Sequence, residues 1–473
     1  MNLFVRKPIN RIVEESEDGE HSLKKTLGPK SLIALGIGAI IGAGLFSLTG
    51  IAAAENAGPA VVLSFAVAAV ACTFAGMCYS ELASMIPVAG SAYTYAYATM
   101  GEFIAWIIGW DLVLEYAVAS AVVAVSWSRY VVDFLKGFGI SLPTQFTTCP
   151  FDPTPGIVNV PAMIDIIGIS ALLITGIKES ANVNAFIVVV KVAVVLTFIC
   201  VGLHYIKSEN YTPFIPPNTG TFGEFGISGI MRAAGIIFFA YIGFDSVSTA
   251  AQESRRPARD IPIGILGSLF ICTILYLLFS FVLTGMVNYK DMRGDAAPVA
   301  TAINLTPYPW LQMMIKFGII MGFTSVILVM LLGQSRVFYS MSRDGLLPKI
   351  FSDIHPKFKT PWKSNLIFMV VVGLCAGFLP ISQLGHMTSI GTLMAFIIVC
   401  AGVIVLRKVQ PDTPRPYRTP LVPLFPILGI IVCFSMMYSL NIDTWIRLIV
   451  WLLIGLVVYF SYSRKHSRLN QSR

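Results

Sequence analysis

Charged residues are scarce in this chain: Asp, Glu, Lys and Arg make up 12% of its 473 residues, against 56% that are apolar. With a mean hydropathy of +0.76, too few polar side chains remain to cover a soluble globule, so composition points to an all-α polytopic membrane protein. The formal charge of +8 does not suggest nucleic acid, because the basic residues fall in short loops between apolar runs. Cysteines are few and unpaired in pattern. Seven of the eight (Cys72, Cys78, Cys200, Cys272, Cys375, Cys400 and Cys433) lie inside apolar runs and only Cys149 in a polar loop, which excludes a disulfide framework and paired metal-ligand spacing. No nucleotide loop, metal cluster or nucleophile–base arrangement stands out, which disfavours an enzyme or an ATP-driven pump. The first thirty residues carry Arg6, Lys7, Arg11, Lys24, Lys25 and Lys30 without an apolar core before a cleavage site, so no cleaved signal peptide is expected.

What the chain has instead is twelve apolar runs, at about 31–54, 59–84, 101–127, 160–177, 182–206, 229–250, 262–287, 309–341, 364–380, 384–406, 421–440 and 444–463. Each is read as a transmembrane helix. Lys and Arg set their orientation. One side carries the N-terminus, Lys178, Arg255, Arg256, Arg259, the stretch from Arg343 to Lys363, Arg407, Lys408, Arg415, Arg418 and the Arg464–Arg468 tail; the other carries only Lys136, Lys207, Lys290 and Arg293. Both termini are therefore expected in the cytoplasm.

Glycine is concentrated where a membrane helix has least use for it. The first run contains Gly36, Gly38, Gly42 and Gly44, each weakening a helix by about 1 kcal/mol relative to alanine. One reading is a small-residue packing face, since Gly38 and Gly42 have that spacing. The other is a break at about 41–44 whose freed backbone groups bind something polar, because unpaired peptide groups are tolerated in a membrane only against protein, water or ligand. The sixth run repeats the feature at Tyr241-Ile242-Gly243-Phe244-Asp245. Breaks in spans 1 and 6 fall at matching positions of two five-span halves, the second inverted. Such paired interruptions mark the binding site of a secondary transporter.

These residues carry a resemblance. Gly38-Ala39-Ile40-Ile41-Gly42-Ala43-Gly44-Leu45-Phe46 resembles the first-helix signature of the amino acid–polyamine–organocation transporters. Tyr79-Ser80-Glu81-Leu82 with Pro87 to Tyr93 resembles the second-helix signature, Phe239 to Asp245 with Glu253 the sixth, and Arg336 to Gly345 the end of the eighth. Gly109-Trp110-Asp111-Leu112-Val113-Leu114-Glu115-Tyr116 is similar to the third helix of the cationic amino acid transporter branch, whose bacterial homologues fit best. The resemblance covers the chain from about Lys24. It implies a LeuT-type five-plus-five inverted repeat with two extra C-terminal helices: a cytoplasmic segment 1–29, a first repeat 30–206, an extracellular loop 207–228, a second repeat 229–407 broken at about 241–245, and helices 11 and 12 with a tail in 408–473.

The resemblance also implies a site. An amino acid carboxylate is placed on the N–H groups of Ala43 and Gly44, with Gly42 and the adjoining Ile41, at the positive end of a half-helix. The ammonium is placed on the carbonyls of Ile40, Phe239 and Ile242, with Ala240 alongside. Ala43 departs from the family pattern, where Ser or Thr is common. Phe239 is expected to gate, or to be a core aromatic. Tyr241, Gly243 and Asp245 belong to the second break, and Asp245 either gates or caps the following half-helix. Met321, between glycines on span 8, either shortens the pocket or fills the core.

Two deep charges complete the reading. Lys191 lies near the middle of span 5, about 15 Å from either end, where an ionisable group by default suggests function. Proton-coupled members of the superfamily place a lysine here, where sodium-coupled relatives bind Na+, so the expected coupling ion is H+ and no Na+ site is expected; a purely structural tether is the alternative. Glu115 would neutralise a cationic substrate, pair with Lys191, or stay a protonated acid. The function implied is proton symport of amino acids, small neutral ones such as alanine or cationic ones such as arginine and lysine, across the cell membrane. An exchanger and a flux-free sensor are the alternatives. No other cofactor or nucleic acid partner is expected, an accessory subunit lies beyond what the sequence addresses, and a monomer or weak oligomer is anticipated.

Overall fold

In hydrocarbon a peptide group has no water to bond, so an apolar segment closes its hydrogen bonds on itself as helix. The computed structural model follows this rule. It describes residues 3–9, 12, 27–88, 91–176, 181–251, 254–295 and 297–471; Arg11, Lys24, Lys25, Ala89, Gly90, Lys178 and Glu253 of the sequence reading lie outside them. Among the described residues all regular elements are helical, apart from an isolated bridge between Leu27 and Ser254. Eight helical segments are long and apolar enough to cross a membrane, and four shorter apolar helices (Pro29–Ile40, Val160–Thr175, Trp362–Phe378 and Leu424–Ser439) accompany them.

We number the helices α1 (Pro29–Ile40), α2 (44–57), α3 (Val61–Met85), α4 (Ser91–Thr99), α5 (Glu102–Lys136), α6 (Val160–Thr175), α7 (Ala181–Gly202), α8 (Gly226–Ile237), α9 (Ser246–Thr249) and α10 (Pro257–Met286). There follow α11 (Pro298–Asn304), α12 (Pro309–Arg343), α13 (Trp362–Phe378), α14 (Ile381–Val409), α15 (Leu424–Ser439) and α16 (Ile442–His466). The apolar stretch Gly44–Met85 has 42 residues, about 63 Å if straight and twice the hydrocarbon thickness. Gly58, at φ +60°, and Pro59 divide it into α2 and α3. α10 packs along α3 and α1, α1 also meets α7 and α12, and α12 lies along α5.

Two interruptions organise the centre. α1 makes its last bond from Ile41 N–H to Ile37 C=O at 3.0 Å; Ile41 is extended, and helix resumes with Phe46 N–H on Gly42 C=O at 3.2 Å. α8 tightens into a 3-10 turn at Phe238–Tyr241, passes through extended Ile242 and Gly243 at φ +114°, and re-enters helix at Ser246. The two breaks touch. A Cβ on Gly44 would stand 2.2 Å from Ala240 Cα, and one on Gly243 would stand 2.8 Å from the Ala39 carbonyl. From α10 the single hydroxyl of Tyr276 reaches Ile40 C=O and Ala240 C=O, 2.9 Å from each. One proton serves a carbonyl from each break.

Ion pairs fasten the end of the bundle that carries both termini. Lys7 Nζ donates to Asp344 Oδ1 at 2.8 Å, Tyr93 OH to Asp344 Oδ2 at 2.7 Å, and Arg468 N–H to Asp344 C=O at 3.1 Å. The segment around Val5 pairs through backbone with Tyr97, Glu102 and Phe103. Buried Glu102 accepts from Tyr97, Tyr459 and Ser467. On α3, wholly buried Glu81 takes both Nε and Nη2 of Arg407, at 3.0 and 2.7 Å, and the N–H of Thr419 at 2.7 Å, with Arg415 at 3.4 Å. The loop after α14, to which the sequence assigns no chemistry, is thus strapped to α3.

The contact between breaks sets a test. Gly44→Ala forces the backbones apart and should destabilise the protein by about 1–3 kcal/mol. Tyr276→Phe strips two buried carbonyls of their shared donor and should cost about 1–3 kcal/mol. Thermal unfolding of the detergent-solubilised variants, read by intrinsic fluorescence, checks both.

Candidate functional site

The two breaks and two flanking helices enclose a small cavity. Ala39, Ile40, Gly42, Ala43 and Gly44 line it from the first break, Phe239 and Ile242 from the second, Ala119 and Val123 from α5, and Val326 and Met330 from α12. It is scarcely larger than a water molecule. At one end stand the N–H groups of Gly42, Ala43 and Gly44, which find no backbone acceptor among the described residues. They open a half-helix, the end suited to an anion. Ile40, Phe239 and Ile242, which also line the cavity, bring carbonyls of both breaks. Phe239 C=O accepts Ile242 N–H at 3.2 Å and Ile40 C=O accepts Tyr276, leaving each a second lone pair. Every lining side chain is apolar. The arrangement offers donors for a carboxylate, acceptors for an ammonium, and an aliphatic slot.

Other residues singled out from the sequence fall around this cavity. Ile41 is fully buried and does not line it, Ala240 backs onto Gly44, and Gly243 presses on Ala39. Tyr241 points away: its hydroxyl donates to Phe65 C=O at 3.2 Å, and its ring stands against Phe65 and Tyr276. Lys191 is 1% exposed and reaches from α7 to α1, where Nζ donates to Gly38 C=O at 2.6 Å. Its stem lies on α12, since a Cβ on Gly322 would come 3.1 Å from Lys191 Cε.

Three expectations are corrected. Met321 neither shortens the pocket nor fills the core: it is 38% exposed, on the outer stripe of α12 with Trp310, Met314 and Phe317. The inner stripe runs Gly318, Gly322, Val326, Met330, one residue per turn, and Met330 is the methionine in the cavity wall. Met321 sits about 100° around the helix from Gly322. Glu115 does not line the cavity and does not pair with Lys191. It is buried beside Asp111 and against Asp245, whose carboxyl lies within hydrogen-bonding reach of its own. Asp245 does not cap α9 with its side chain. Its Oδ2 accepts instead from Tyr116 OH and, at 3.3 Å, from Ser91 OH, because α9 is a single short turn and the carboxyl faces α4 and α5.

Sequence reasoning missed Ala39, Ala119, Val123, Val326 and Met330 in the lining, Tyr276 between the breaks, and Asp111 beside Glu115. The four-residue spacing from Gly318 would have found Val326 and Met330. It also missed the pair of buried Lys316 with Asp133, 2.6 Å apart, joining α12 to α5.

Comparison with known proteins gives the family. Residues 27–459 match the family described as amino acid permease. The branched-chain amino acid permease BcaP of Bacillus subtilis is 46% identical over 99% of both chains. The methylthioribose transporter of the same organism is 42% identical over 99% of this chain and 100% of its own. The vacuolar cationic amino acid transporter 4 of Arabidopsis thaliana is 40% identical over 87% of this chain and 68% of its own. The chain belongs to the amino acid permease family, within the amino acid–polyamine–organocation superfamily its motifs resemble, and is a multi-pass membrane transporter rather than an enzyme.

Proposed function

We propose that the protein imports neutral aliphatic amino acids, from alanine to the branched chains, by proton symport across a bacterial cell membrane. One observation carries this reading: the cavity between the breaks joins free backbone N–H groups, backbone carbonyls and a wholly apolar lining. The carboxylate sits on Gly42, Ala43 and Gly44, the ammonium on the carbonyls of Ile40, Phe239 and Ile242, and the side chain against Val123, Val326 and Met330. Phe239 covers the ligand. Twelve spans, arranged as five plus five inverted plus two, with both termini cytoplasmic, complete the architecture. The cavity is too small for an amino acid, so loading moves Phe239 and the half-helices by alternating access.

In this reading Lys191 is the coupling group. Its ammonium bond to Gly38 ties α1 to α7 and α12; on losing its proton the amine holds that carbonyl less strongly, and α1 is released. H+ serves as the coupling ion in place of Na+. The likeness to the branched-chain amino acid permease of Bacillus subtilis supports the substrate class. The absence of a carboxylate from the lining separates it from a cationic specificity.

Uptake of labelled alanine and leucine into proteoliposomes with an acidic exterior tests the function. Accumulation should collapse with a protonophore, and excess arginine should leave it intact. Uptake that requires internal amino acid would establish an exchanger, and binding without flux a sensor. Lys191→Met should lose proton-driven accumulation while retaining substrate-for-substrate exchange. Met330→Ala should raise the leucine-to-alanine uptake ratio about tenfold, the worth of one or two methylenes of space. Met321→Ala should leave that ratio unchanged.

A further inference from the structure

Three buried carboxyl side chains stand outside the cavity and have no part in the reading above. Asp111 and Glu115 lie one turn apart on α5, where residues 114–118 widen into a π turn, and Asp245 follows the second break. Each is at most 1% exposed. Asp245 Oδ2 holds the hydroxyls of Tyr116 and Ser91. The Glu115 and Asp245 carboxyls lie within hydrogen-bonding reach of each other, no other donor reaches the remaining carboxyl oxygens, and no Lys, Arg or His is ion-paired with any of the three, among the described residues. A second, independent group faces the cluster. The hydroxyl of Tyr79 on α3, wholly buried and also unpartnered, stands beside Glu115 and Asp245. Tyr95 of α4 stands beside Asp245, and α14 meets Asp111 at Gly391, where a Cβ would lie 3.0 Å from Oδ1.

A buried carboxylate needs a cation or several donors, and two like charges sharing a dry site do not persist together. The cluster therefore carries one negative charge at most. Asp245, with two hydroxyl donors, is the group equipped for it, which leaves Asp111 and Glu115 as neutral acids. A neutral acid both donates and accepts, so it can bond a neighbouring carboxyl or Tyr79.

We propose that Asp111, Glu115 and Asp245 form a second proton-binding site of the transporter, closed by the Tyr116–Asp245 hydrogen bond. That bond joins the second break to α5. When the break swings away, the bond parts and water reaches the cluster. The Glu115 O–H bond then breaks, its proton passes to that water, and a hydrated carboxylate remains. Reclosing requires a proton to return, so this half of the molecule shuts only when loaded. The site is separate from Lys191 and stands whether or not that lysine couples transport.

Infrared difference spectroscopy of the full chain in lipid tests the proposal. Wild-type protein should show C=O stretching bands of protonated carboxyls, sensitive to D2O, that persist at about pH 8, where ordinary carboxyls are ionised. Glu115→Gln should remove one band and Asp111→Asn another, and both should survive Lys191→Met. Asp165 on α6 is another buried carboxyl with an unpartnered oxygen, so Asp165→Asn identifies its contribution. A wild-type spectrum with no protonated carboxyl beyond that of Asp165 overturns the proposal, even should the cluster variants fail to fold. So does a set of bands that neither Glu115→Gln nor Asp111→Asn diminishes.

Discussion

A peptide group that leaves a helix inside a membrane must find a partner there, and this molecule does so by placing two such departures against each other. Ile40 and Ala240 belong to different breaks, distant in sequence, yet their carbonyls share one proton from Tyr276. Gly44 and Gly243 permit the approach, since a side chain at either would enter the opposing backbone. The remaining freed groups face the cavity, where a zwitterion can satisfy them. Binding and fold are thus answers to the same shortage of hydrogen-bond partners.

The helices around the breaks divide the remaining work. α12 contributes a narrow inner stripe in which two glycines admit the stem of Lys191 and a neighbouring α7 valine, and two larger residues close the cavity. α5 contributes small apolar side chains to the cavity and, a turn earlier, the acids that face Asp245. Lys191 reaches Gly38 of α1 just ahead of the residues that line the pocket, and packs on Gly322 one turn from Val326 in its wall. The lysine does not itself line the cavity, so it touches the pocket through α1 and α12 rather than by direct contact.

Much of this was legible in the sequence because it is written in residue types that hydrocarbon does not otherwise tolerate. The glycines from Gly36 to Gly44, the Gly243–Asp245 corner and Lys191 announce themselves without a structure. What stayed hidden depends on rotation about a helix axis relative to its neighbours. Met321 and Met330 look equally suitable on span 8, and only the packing of Gly318 and Gly322 on α7 fixes which faces inward. Glu115 and Asp245 read singly as a substrate anchor and a cap. Their association arises from the approach of α5 to the second break, for which one sequence carries no local signal. The same holds for Glu81, whose partners Arg407 and Arg415 follow it by more than three hundred residues.

Asp344 receives one end of the chain on its side chain and the other on its carbonyl. The polypeptide is thereby clasped into a ring without a covalent bond. Helical proteins ordinarily begin to come apart by fraying at their termini, the least protected part of the structure. Here the segments holding Lys7 and Arg468 are each bonded to that residue, and the segments around Val5 and Ser467 cover the same corner between α4 and α5. A pull on the segment around Lys7 or around Arg468 therefore reaches Asp344 and the junction of α4, α12 and α16 as well as the neighbouring helix.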